Sequence, residues 1–110
     1  MHLLAFIFFL LAAVPREDPL SLATQLVADG HYGRARSVLD QLSIEDVGDG
    51  AAKYHSVMGL IQLDQSNYAL AADSFSDALL YVQEGMEGPA PAMLHAYLGQ
   101  AEHGAGRFAK

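Results

Sequence analysis

The chain has 110 residues, 52% of them apolar, with no cysteine and 13 acidic against 6 basic side chains, for a formal charge of −7. Without cysteine there are no disulfides, thiolate metal sites or lipid attachment at a cysteine, and the acidic balance repels phosphate backbones and anionic membrane surfaces, which argues against nucleic-acid binding. The length allows one small domain, less any targeting segment.

Residues 3–14 read LLAFIFFLLAAV, an unbroken apolar run followed by Pro15 and the charged break Arg16, Glu17 and Asp18. A helix that crosses a bilayer needs about 20 such residues, so this run is too short to span comfortably. It fits a secretory signal peptide over residues 1–14, with Ala12 and Ala13 near the cleavage point, although only His2 stands where such peptides carry positive charge. The alternatives are a buried helix of the domain or a short retained anchor. Export predicts a periplasmic or secreted protein, with membrane contact only through this segment where it is not cleaved.

Beyond Pro15 the pattern is helical. Tyr54, Val57, Met58 and Ile61, with Leu60 and Leu63, give residues 51–65 a broad apolar face. Tyr68, Ala71, Ala72, Phe75, Ala78, Leu79 and Val82 then follow three-four spacing, with Asp73, Ser74, Ser76 and Asp77 between them. Ser66 and Asn67 separate the two segments, and either side chain is a candidate cap for the second. A short turn between two such helices predicts an antiparallel hairpin.

The hairpin recurs. Ala23, Gly30, Tyr32, Ala35 and Leu39 correspond to Gly59, Ser66, Tyr68, Ala71 and Phe75 at a constant offset of 36, and Gly99, Gly106 and Phe108 correspond to Gly59, Ser66 and Tyr68 at an offset of 40. This period and these residues resemble the tetratricopeptide repeat, a helix-turn-helix unit of about 34 residues. In the middle unit Met58 and Gly59 stand for the family's Leu–Gly pair, and Tyr68, Ala71, Phe75 and Ala78 complete the second helix. The departures are His55 in place of an aromatic, Gln62 in place of a tyrosine, and no closing proline; the first unit has Ala23 for the glycine and Leu39 and Leu42 for the late Phe and Ala.

The resemblance implies an all-α fold of antiparallel helical pairs stacked as a short solenoid, with units at about 18–45, 52–85 and an incomplete one at 92–110. Gly59 and Ala71 would mark the close crossing within a pair, with Phe75 filling the wider gap toward the next unit. The connectors SIEDVGDG (43–50) and EGMEGPAPA (84–92) would be exposed loops, and Pro91 suits the first turn of the third unit. Because Arg107 to Lys110 read as the start of a helix, the array is expected to continue past Lys110, the alternative being self-association over the open end.

No catalytic constellation is visible. Glu45, Asp46 and Asp49 lack the alternating oxygen ligands and closing glutamate of a calcium loop, so an acidic linker is the simpler reading. His95, Glu102 and His103 share a helix face at spacings of seven and eight, whereas zinc-binding helices bring ligands three or four apart. The glycines at 104 and 106 end a helix instead of opening one, which is the wrong end for a phosphate. The expectation is therefore no enzyme, no cofactor and no metal.

What remains is surface. By register with the family, the first helix of each pair lines a concave groove: Leu20 and Thr24, then Lys53, Ser56, Leu60 and Asp64, then Met93, Ala96, Gln100 and His103. The basic and amide residues that the family's chaperone-tail clamps use are not reproduced at the matching positions. These features predict a non-catalytic interaction scaffold or assembly factor of the bacterial cell envelope, whose partner is another protein or peptide segment, with self-association as a further option. A different class remains open: an accessory or substrate-binding domain of a larger protein whose catalytic part lies beyond Lys110. A metal-binding module built on His95 and His103 is the third.

Overall fold

The computed structural model describes residues 18–107. The apolar run at residues 3–14 and Phe108 lie outside them. All regular structure among the described residues is helical: α1 (Pro19–Ala28), α2 (Tyr32–Asp40), a single turn α3 (Ile44–Val47) running into a 3-10 turn (Gly48–Gly50), α4 (Ala51–Asp64), α5 (Tyr68–Gln83) and α6 (Pro91–Gly104). No helix among them is long and apolar enough to cross a membrane.

Local chemistry sets the helix starts. Asp18 caps α1 by accepting the Ser21 backbone N–H at 3.2 Å, with Pro19 just inside. Pro91 does the same service for α6 as its first residue. The Asn67 side chain makes no capping bond to α5, contrary to the sequence expectation. Ser66 is instead committed to ending α4, and the backbone carbonyl of Asn67 accepts from Ala71 at 2.9 Å.

One turn ends four helices among the described residues: after α5 it is Gly85 (φ 96°), with the Met86 N–H on the Tyr81 carbonyl at 3.0 Å, and the other three are spaced as the repeat. After α1, α4 and α6 the chain passes through a left-handed residue, Gly30 (φ 83°), Ser66 (φ 61°) and Gly106 (φ 77°). The N–H one residue further on reaches back to the last turn of the helix: His31 to the Leu26 carbonyl at 2.7 Å, Asn67 to Gln62 at 2.8 Å, Arg107 to Glu102 at 2.7 Å. This closure satisfies carbonyls that a helix end leaves without partners. The three turns fall at the offsets of 36 and 40 read from the side chains, so backbone and side-chain registers agree. Ser66 is the only non-glycine with positive φ among the described residues. Ser66→Gly is therefore expected to stabilise the fold by about 0.5–1 kcal/mol, the relief of left-handed strain less the added freedom of the unfolded chain. Thermal melts read this directly.

Each helix packs mainly on the next, α1 on α2, α4 on α5 and α5 on α6, while α4 also touches α1 and α2. Within the middle pair, His55 meets Tyr81, Gly59 meets Phe75 and Gln62 meets Ser74, so early residues of α4 face late residues of α5 and the pair is antiparallel. Two apolar clusters result. Leu20, Ala23, Leu26, Ala35 and Leu39 join Val57, Met58 and Ile61; on the other flank Ala71, Phe75, Ala78 and Leu79 join Leu94 and Ala101, with Leu60 and Leu63 against them. α4 serves both clusters, which is why its apolar face is so broad.

Phe75 is fully buried and carries the middle of the structure. A methyl at Gly59 would stand 2.7 Å from the Phe75 ring, so the glycine is the recess into which the ring fits. Gly59 stands at the crossing within the pair, as expected, but the recess it makes takes the Phe75 ring; that ring also reaches the next unit, as expected, stacking on Tyr97 of α6 with centroids 5.3 Å apart. The same device appears at Gly104, which lies against the Tyr68 ring.

Both connectors are mostly exposed, as expected, but neither is a plain loop. In the first, the Ser43 hydroxyl accepts from the Asp46 N–H and the Asp46 carboxylate accepts from the Ser43 N–H, both at 3.2 Å, and this reciprocal cap nucleates α3. Those hydrogen bonds hold the Asp46 carboxyl below its usual range. In the second, Gly88 and Pro89 are half-buried, and Gly88 lies against Ala52 and Val82. A Cβ there would approach the Ala52 methyl to 3.0 Å, so the chain folds back on α4 at a position that only glycine fits without displacement.

Candidate functional site

A cleft of about 380 Å³ opens between α1, α4 and the folded-back connector. Leu20 and Thr24 contribute from α1, Lys53, Ser56 and Leu60 from α4, and Gly88 and Pro89 from the connector. Five of the groove candidates thus come together. Asp64 lies at the end of α4 away from this cleft, and Met93, Ala96, Gln100 and His103 are exposed on α6, separate from it. The connector is what sequence reasoning missed. Its only signal was the glycine and two prolines of GPAP, which read as a loop; the small Ala52 beneath Gly88 completes the contact and is remote in sequence.

The lining is mostly apolar. Ser56 is buried and its hydroxyl donates to the Ala52 carbonyl at 2.7 Å, so it offers the cleft no free donor. Thr24 likewise donates to the Leu20 carbonyl at 2.8 Å, leaving chiefly its methyl for contact. Leu60 is half-buried and shared with the second core cluster. At the rim, the Lys53 ammonium stands 4.0 Å from Glu87, an exposed pair that steers more than it stabilises. A pocket of this size and lining takes one or two apolar side chains and fixes them with few polar groups.

A second cleft of about 500 Å³ adjoins the first and is lined by Asp18, Asp46, Asp49, Glu87 and Lys53 among others. Two of its carboxylates have structural work: Asp18 caps α1 and Asp46 caps α3. No group of three or more His, Asp or Glu among the described residues is placed to hold a metal ion.

His55 occupies the place where the resembled family has an aromatic, and its ring behaves as one. It stacks on Tyr81 with centroids 5.5 Å apart and planes 7° apart, and meets Tyr54 edge-on at 5.2 Å. Burial lowers its pKa from the usual 6.5, opposed in part by the charge of Asp77. Above that value the ring is neutral whether folded or unfolded, so stability is complete; as pH falls through about 6.5 the unfolded chain takes the proton first and stability drops. The unfolding midpoint is therefore expected to decrease from pH 7.5 to pH 5.5, with the slope reduced in His55→Phe.

Comparison with protein-family models, with curated proteins and with solved structures finds no match for this chain.

Proposed function

We propose that residues 18–110 are a short tetratricopeptide-like stack, and that the chain is an exported, non-catalytic scaffold or assembly factor that binds a segment of another protein in the cleft between α1 and α4. The observation that carries this reading is the turn repeated at Gly30, Ser66 and Gly106, in register with the small and aromatic side chains of each pair. Repeats of this kind present the walls of neighbouring pairs side by side, and such walls take up extended or helical segments. Leu20, Leu60 and Pro89 supply apolar contact for that segment, and Lys53 supplies a charge that favours an acidic group at its end. Export to a bacterial envelope rests on the apolar leader at residues 3–14.

The test is Thr24→Arg. Thr24 is exposed and outside the core clusters, so a long side chain there fills the cleft while the melting temperature stays within a few degrees. Affinity capture from the envelope of the native host is expected to recover a partner with the wild-type chain and to lose it with this variant. Equal capture by both would move the binding surface elsewhere.

A further inference from the structure

The face of α4 that α5 covers is written a second time on α6. His95, Gly99 and Glu102 stand at the offset of 40 from His55, Gly59 and Gln62. On α4 each of the three has a mate on α5: His55 stacks on Tyr81, Gly59 receives the Phe75 ring, and Gln62 accepts the Ser74 hydroxyl at 2.6 Å. On α6, among the described residues, nothing lies within 4 Å of the place where a Cβ of Gly99 would stand, and His95 is exposed. The opposite flank of the helix, with Leu94 and Ala101, is the one buried against α5.

We propose that the His95, Gly99 and Glu102 face of α6 is a docking site for a partner helix of α5-like chemistry. Such a helix carries an aromatic ring over Gly99, a hydroxyl or cationic residue immediately before it opposite Glu102, and a second ring six residues later beside His95. The covered face of α4 says what the occupant looks like, because the molecule already contains one instance of the pairing. Glu102 in place of Gln62 alters it in one respect: a carboxylate accepts the same hydroxyl proton but draws a cation more strongly than an amide does. This inference rests on the repeat reading but not on the cleft, since no residue of the face lines it.

The probe is a labelled peptide of residues 67–83, the natural mate of α4, titrated against the intact protein by fluorescence anisotropy. Saturable binding is expected, at least tenfold weaker to Gly99→Leu, whose side chain occupies the recess without touching the fold. Gly99 is exposed with open space about it, and leucine is the better helix former, so this variant should melt no lower than the wild type. A peptide carrying Ser74→Lys should bind several-fold more tightly than one carrying Ser74→Glu, and Glu102→Lys in the protein should reverse that order. Binding that ignores Gly99→Leu would mean exchange onto α4 and would overturn the proposal. So would no binding, or a dimer of the chain that Gly99→Leu dissociates and the peptide does not. Capture through the cleft, tested by Thr24→Arg, is read separately and stands or falls by itself.

Discussion

Phe75→Ala is expected to lower the stability of the fold by about 3–5 kcal/mol, the cost of deleting a fully buried ring and leaving its cavity. A domain of about 90 residues holds roughly 5–13 kcal/mol in all, so this one change brings it close to unfolding at ordinary temperatures. The effect is large because the ring belongs to three helices at once: it stands on α5, seats in the recess at Gly59 of α4 and stacks on Tyr97 of α6. The geometry also predicts a partial rescue. Gly59→Leu in the native background drives a branched side chain into the ring and should cost about 1–3 kcal/mol or more. Combined with Phe75→Ala it returns apolar volume to the same space from the other helix, so the double variant should be more stable than the sum of the two single losses requires. Urea unfolding of the four proteins, followed by circular dichroism, gives the cycle.

Gln62→Leu is expected to cost about 1–3 kcal/mol, because it strips the acceptor from a buried hydroxyl. The Ser74 hydroxyl donates to Gln62 Oε1 at 2.6 Å, both side chains are buried, and every buried side-chain polar atom among the described residues has a partner. The repeat register suggests an apolar solution to the same contact. At the offset of 36, Gln62 and Ser74 correspond to Leu26, in the first core cluster, and Val38, half-buried against it. Adding Ser74→Val to Gln62→Leu should therefore recover most of the loss or exceed the native stability, since removing both polar partners together leaves no unmet group. A double variant as unstable as Gln62→Leu alone would mean that the two pairs do not share this contact.

Much of this architecture is legible in the sequence, for identifiable reasons. Gly30 and Gly106 announce their turns because a left-handed residue after a helix favours glycine, and the offsets then locate Ser66, which alone gives no such signal. Pro91 marks the start of α6 through local geometry alone. Other features depend on what lies across the space. The mate of Gly59 follows from the turn, since the facing pairs Gly59 and Phe75, Gln62 and Ser74, and His55 and Tyr81 are all centred on residues 67–68; side-chain size alone pointed to Ala71. The Ser43 and Asp46 cap was spelled in the sequence, but its acidic neighbours made the segment read as a linker. The return of Gly88 onto Ala52 could not be read locally, because it requires a connector and a helix start some 36 positions apart. For the cleft, register identified the contributions of α1 and α4 but not the wall that the connector adds.

The central proposal is that one helix-turn unit recurs along the chain, its closing turns set at Gly30, Ser66 and Gly106. Its most direct test is a nuclear magnetic resonance measurement of couplings across hydrogen bonds from backbone nitrogen to carbonyl carbon. The account predicts a coupling from His31 to Leu26, from Asn67 to Gln62 and from Arg107 to Glu102, together with positive φ at Gly30, Ser66 and Gly106. Loss of the middle coupling with an extended or right-handed Ser66 would contradict it, because Ser66 is the one of the three turns that glycine does not make easy.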